Sequence, residues 1–117
     1  VATLRRLRQV PAVADGSFQV ITALRYEKLG EPLDRAHLES LTEELAALGA
    51  FLWVMFDDAP ASEAAIVQRV RDLADMAAAR GVTVVLYPHA GTALLTGEQA
   101  LDWMKAAERP NVKVSLH

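Results

Sequence analysis

Apolar positions along this chain alternate between two kinds of pattern. Leu38, Leu41, Leu45 and Leu48 recur at intervals of three and four, the spacing of one helix face. Ile66, Val70, Leu73 and Ala77 repeat the same stripe further on. Between them, Phe51 to Phe56 is an unbroken apolar run, and Val82 to Tyr87 is nearly so. Runs without polar alternation read as strands covered on both faces, the habit of parallel sheets.

Polar punctuation fits these stripes. Asp34 can cap a helix over the Leu38 stripe, with Leu33 and Leu38 at staple spacing and Gly49 closing it. Ser62 can cap the Ile66 helix, which Gly81 ends. Thr96 and Gln99 match a capping box for a third helix, with Leu101, Met104 and Ala107 facing inward and Pro110 stopping it. Residues 2–9 read as the end of a helix with Leu4 and Leu7 on one side, and Pro11 and Gly16 then interrupt. Phe18 to Leu24 is expected as a first strand and Val112 to Leu116 as a fourth.

Strands alternating with single helices predict an α/β fold of parallel (β/α) repeats. No glycine-rich dinucleotide fingerprint or phosphate loop follows any strand, which weakens a nucleotide-binding reading. Four strands and three to four helices are about half of a TIM barrel, and 117 residues are about half of its ~250. The whole chain, 1–117, is therefore expected to be a single partial barrel domain. The pattern stops on a strand at His117, which leaves an apolar edge. Either the chain is cut or its edges pair with another copy.

Composition changes this picture little. The chain is 52% apolar with a formal charge of −3, so no basic footprint for nucleic acid exists. Arg5, Arg6 and Arg8 are expected to form a solvated helix face. The absence of cysteine excludes disulfides and thiolate chemistry and suits a cytoplasmic protein. No apolar run approaches the ~20 residues of a membrane helix. No serine-hydrolase elbow or His-Glu-x-x-His motif occurs.

In parallel α/β folds the working rim lies at the C-terminal strand ends. The expected rim holds Glu27 after the first strand, Asp57 and Asp58 after the second, Tyr87 and His89 after the third, and His117 after the fourth. Asp57 and Asp58 suit a general base or ligand, or merely a turn. His89 suits an acid/base or ligand role, or simple exposure. Glu27 and Tyr87 are candidates for substrate binding; the alternatives are a solvated loop charge and half-buried packing. His117 is a further substrate-binding candidate. His37 reads as a solvated helix residue, Trp53 and Trp103 as packing, and Met55, Met76 and Met104 as core filler.

The segment from Arg80 to Thr92, with Tyr87-Pro88-His89 at its heart, is followed by Thr96-Gly97-Glu98-Gln99-Ala100-Leu101. The ending runs Arg109-Pro110-Asn111-Val112. Together these resemble the sugar phosphate isomerase/epimerase family, the xylose isomerase-like TIM barrels. There an apolar strand runs into Glu-Pro-His, an acidic residue precedes Ala-Leu at a helix start, and Pro-Asn-Val opens the next strand. The likeness is good over residues 62–117 and weak over residues 1–50.

The resemblance implies a fragment of a barrel acting on a sugar, sugar phosphate or polyol by proton transfer between adjacent carbons. His89 matches the family's histidine, and Asp57 or Asp58 would share the proton transfer. It implies a divalent metal (Mn, Mg, Zn or Co) in a longer parent and none for this chain alone. Tyr87 stands where the family carries a metal-binding Glu, and a phenol stays protonated at neutral pH. The competing expectations are an inactive sugar-binding module and a half-barrel that self-assembles through open sheet edges. Neither a nucleic acid nor a membrane partner is expected.

Overall fold

The computed structural model describes residues 1–115. Its elements are α1 (Ala2–Gln9), α2 (Pro11–Ala14), β1 (Thr22–Glu27), α3 (Arg35–Leu48), β2 (Phe51–Phe56), α4 (Glu63–Ala78), β3 (Val84–Leu86), α5 (Gly97–Ala107) and β4 (Val112–Val114). The four strands form one parallel sheet in the order β1-β2-β3-β4. Right-handed crossovers that always step the same way across a sheet put the connecting helices α3, α4 and α5 on one face. This is the construction of half a TIM barrel, with a helix-covered outer face and a concave inner one.

Alternation along the strands sorts residues between these faces. Leu52, Val54, Phe56, Val84 and Leu86 have no exposure and form the core with Leu38, Leu45, Val70 and Leu73 from the helices. The intervening residues line the inner face. Register sets Leu24, Trp53, Val85 and Lys113 in one row across it.

Local chemistry fixes the helix ends. Asp34 Oδ1 accepts from His37 N, and Ser62 Oγ accepts from Ala65 N. Gly49, at φ 66°, closes α3 as Ala50 N donates back to Leu45 O. Gly81, at φ 70°, does the same for α4, two residues beyond its C-cap Ala79. Thr96 Oγ1 accepts from Gln99 N, but Gln99 Oε1 reaches Leu95 N, one residue before the cap.

Several expectations need correction. β1 begins at Thr22, not Phe18, and Phe18 and Ile21 are 61% and 58% exposed. A strand needs a partner, and β2 begins at Phe51, whose N–H reaches back only to Ile21 O. β3 is confined to Val84–Leu86 because Val82 N is taken by Ala77 O at the end of α4. Pro11 starts the short α2 rather than only interrupting, since a first-turn N–H is unused anyway. The buried stripe of α5 is Ala100, Trp103 and Ala107, and Leu101 turns outward. The Trp103 ring occupies the inward position and meets Phe56 edge-on at 5.8 Å. Met55 lies on the inner face, while Met76 and Met104 pack against the core.

The basic cluster is not simply solvated. Arg5 Nε donates to Glu44 Oε1 at 3.2 Å. Arg8 Nε lies 3.1 Å from Oε2 of the same buried carboxylate, an ion pair without hydrogen-bond geometry. The pairing fastens α1 to α3, beside Leu4. β4 ends at Val114, and the predicted strand end at Leu116 lies outside the described residues. Among the described residues no helix is long and apolar enough to cross a membrane.

Candidate functional site

The structure treats the ends of β1, β2 and β3 differently. At the end of β1, Glu27 faces the helix layer and is 2% exposed, so it is not a solvated loop charge. Arg25 Nε donates to Glu27 Oε2 at 2.6 Å, and Arg69 Nη1 from α4 donates to Oε1. Arg69 Nη2 also donates to Glu31 O at 2.6 Å, which holds the β1–α3 loop against α4. Arg25 Nη1 lies 2.7 Å from His37 Nδ1. A guanidinium only donates, so this nitrogen accepts and the ring proton of a neutral His37 sits on Nε2. His37 is exposed as expected, but it also steadies Arg25. A buried carboxylate with two guanidiniums is a built ionic cluster, and it points away from the inner face.

At the end of β2, Asp57 continues the ladder through its N–H to Glu27 O. Its Oδ1 accepts from Leu29 N at 3.0 Å and Ala59 N at 3.4 Å. This is the turn-making role, and it knots two strand-end loops together. Asp58 is exposed.

The end of β3 belongs to the inner face. Tyr87 N donates to Val54 O, so the ladder runs on into Tyr87. The Tyr87 ring centre lies 4.8 Å from Trp53, at 54°. His89 stacks on Tyr87 at 5.9 Å and 18°, and Phe51 meets Trp53 edge-on at 6.0 Å. An aromatic row therefore climbs the inner face from Phe51 to an exposed imidazole on the rim. His89 Nδ1 lies 2.8 Å from Ala90 O, and a carbonyl can only accept. Nδ1 therefore carries the proton, and the lone pair of the neutral ring is on Nε2, available to solvent or ligand.

The loop holding His89 is internally buckled. Thr92 is buried, and its Oγ1 lies 2.8 Å from both His89 O and Leu94 O. His89 N donates to Leu94 O, and Ala93 N reaches Phe56 O. Gly91 takes φ 81°, the left-handed conformation this turn requires.

Of the sequence candidates, the structure thus brings Tyr87 and His89 together. It places Glu27 on the opposite face of the sheet, Asp57 in a turn and Asp58 in solvent. Among the described residues no hydrogen bond joins His89 to either aspartate. His117 lies outside the described residues. Sequence position puts Arg25 and Thr92 at strand ends without giving them a role, and it does not point to Trp53 or Arg69 as rim residues. Trp53 could have been placed from strand period alone, since Phe51, Trp53 and Met55 share a face.

Open grooves occur elsewhere. One of about 780 Å³ runs between the starts of α4 and α5, past Ile66, Leu95 and Trp103. Another of about 300 Å³ lies beside Arg25, Glu27 and His37. The inner face is not enclosed, because half a barrel wall has no opposite side. The described residues do not make a site for the divalent metal that the resemblance implies. Among the described residues no three His, Asp or Glu side chains converge, and Tyr87 offers a phenol.

No family model matches the chain, and none of the curated proteins does. Solved structures do match. The probable 3-DHS dehydratase of Bacillus anthracis superposes with a TM-score of 0.75 at 19% identity, over 98% of this chain and 45% of its own. The 3-keto-D-glucoside 4-epimerase of E. coli gives 0.70 at 20%, over 95% of this chain and 53% of its own. A xylose isomerase-like TIM barrel protein from Mycobacterium smegmatis, solved in complex with magnesium, gives 0.73 at 18%, over 97% and 45%. The chain therefore has the fold of xylose isomerase-like TIM barrels and spans about half the length of these proteins.

Proposed function

We propose that the chain is half of a sugar-modifying barrel whose inner aromatic row, Phe51 to His89, is one wall of the sugar site. The observation that carries this reading is the Trp53–Tyr87–His89 stack. Aromatic faces suit the apolar C–H faces of a sugar ring, and the imidazole at the top of the stack offers a base at the rim. The fold likeness to a sugar epimerase supports the substrate class. In the reaction, His89 Nε2 would take the proton from the carbon beside a carbonyl while the electron pair moves onto the carbonyl oxygen. Protonation of the same carbon from the other face by water, with His89 releasing its proton to solvent, completes epimerisation; return of the proton from His89 to the former carbonyl carbon, with the hydroxyl proton moving to the former carbonyl oxygen, completes isomerisation. Asp57 positions the loops, and Tyr87 contacts the sugar.

Tyr87 in place of a carboxylate favours a second reading, a module that binds the sugar without metal and without turnover. Titration with D-fructose, followed by NMR, tests both. The expected result is shifts at the Trp53 indole and His89 ring, with Trp103 in the core unmoved. Shifts that persist in EDTA without product favour the binding module; product formed in the same EDTA favours the His89 enzyme. Shifts confined to the α4–α5 groove, or none at all, would sink the proposed site.

A further inference from the structure

We propose that the buried Thr92 hydroxyl is the positioning group for His89: it holds the turn that keeps the ring proton on Nδ1 and leaves the Nε2 lone pair outward. Use of that lone pair as a base rests on the sugar reading; the positioning itself does not. Every bond involved lies between Phe56 and Gln99, well inside the chain.

An exposed histidine has no fixed tautomer. Which ring nitrogen carries the proton is set by the hydrogen bonds the ring makes. In water a free side chain favours the proton on Nε2, and such a ring would offer the rim an N–H where a base needs a lone pair. His89 is exposed, yet its Nδ1 lies 2.8 Å from Ala90 O. That carbonyl belongs to the next residue and reaches back over the preceding side chain, so it must be aimed.

The turn does the aiming. Residues 89–92 form a four-residue turn in which Thr92 N donates to His89 O at 3.3 Å. The central peptide of such a turn, here Ala90–Gly91, has two orientations about half a rotation apart, and one of them requires positive φ at the third position. Gly91 has φ 81°, so the Ala90 carbonyl takes that orientation. The closing bond is longer than the usual ~2.7–3.2 Å and is weak on its own.

Thr92 supplies what that bond lacks. Its Oγ1 lies 2.8 Å from His89 O and 2.8 Å from Leu94 O. One hydroxyl proton serves one carbonyl at a time, but it joins the same two residues that His89 N and Leu94 O already link. The Leu94 end is fixed. Leu94 has no exposure, Ala93 N donates to Phe56 O beyond β2, and Leu95 N donates to Gln99 Oε1 in α5. The hydroxyl therefore fastens the rim histidine to the core. Thr92 is 6% exposed, and valine would fill the same space without serving either carbonyl.

Ring ¹⁵N shifts, read by NMR at about pH 8.5 where an ordinary histidine of pKa ~6.5 is neutral, report the tautomer directly. The His89 signals are identified by their loss in His89→Gln. His37, whose Nδ1 accepts from Arg25, is the internal reference for the opposite tautomer. The parent should show His89 mainly as Nδ1–H. Thr92→Val should remain folded by circular dichroism and move the ratio about fivefold toward Nε2–H, the scale of one neutral hydrogen bond. Thr92→Ser keeps the hydroxyl and should keep the parent ratio. Gly91→Ala meets no atom within 4 Å and strains only the positive φ, so it should move the ratio the same way, and it decides the matter should Thr92→Val not fold. A parent ring protonated on Nε2 overturns the proposal. So does a folded Thr92→Val or Gly91→Ala with the parent ratio, or a Thr92→Ser that behaves like Thr92→Val. If the chain binds no sugar, the sugar reading falls alone and the tautomer ratio still decides this one.

Discussion

The two faces of the sheet are made from the same kinds of residue and have opposite fates. On the helix side, Leu52, Val54, Phe56, Val84 and Leu86 are wholly buried. On the inner side, Leu24 and Tyr26 are about half exposed, and Phe51, Trp53 and Val85 are only partly covered. Apolarity along a strand thus says that two faces must be covered, but not what covers them. Helices from this chain cover the outer face, so it supplies stability. The inner face carries the rings and the histidine, the wall to which the proposed function assigns recognition.

Substituting a ring on each face tests that division. Phe56→Ala removes a buried ring packed edge-on against Trp103, and should cost about 3–5 kcal/mol in urea unfolding. Trp53→Ala removes a larger ring from the open face, and in dilute solution should cost only about 1–2 kcal/mol. Equal losses would mean that the inner face already belongs to the core.

Glu27 sharpens the comparison, because it is a charge on the covered face. Glu27→Gln leaves Arg25 and Arg69, at 13% and 14% side-chain exposure, without their shared carboxylate. Breaking a buried pair from one side typically costs ~3–5 kcal/mol. The arginines retain some access to water here, so about 2–3 kcal/mol is expected. Amide exchange should quicken in residues 28–33, the loop that Arg69 holds, more than in β2. A variant as stable as the parent would reduce the cluster to a surface ornament of the rim.

Much of this architecture was legible from sequence wherever one signal was enough. β2 was placed to the residue because its apolar run is bounded by Gly49 on one side and Asp57-Asp58 on the other. The helix caps at Asp34, Ser62 and Thr96 were legible because capping is local. β1 was misplaced because its start depends on where β2 begins, 29 positions later in register. Glu27 read as solvated because Arg69, 42 positions away, does not announce itself beside the Ile66 stripe. The site was half legible for the same reason. Tyr87 and His89 are neighbours in sequence and stay together in space, whereas the aspartates would need partners that no local pattern specifies. Trp53 read as packing, and its ring does meet Phe51 and Tyr87; the apolar run alone does not say on which face.

The smallest effect concerns the segment that leads into the open edge. Asp15 Oδ1 accepts from Ser17 N at 2.8 Å and from Ser17 Oγ at 2.6 Å. These bonds, the side-chain one foremost, hold the Asp15 carboxyl below its ordinary value of 3.8. Such a group stabilises the folded turn fully above that value and loses its contribution as pH falls through the lowered one. Asp15 is fully exposed, so the effect is local rather than global. Exchange at the Ser17 amide, measured by NMR, should be slowed at pH 6 and lose that protection on acidification, while amides in β2 keep theirs. Asp15→Asn should weaken the Ser17 bonds at both pH values and remove the pH dependence. Protection in β2 that fell in step would join the lead-in to the covered face; independence leaves Phe18 and Ile21 on a segment that moves with the open one.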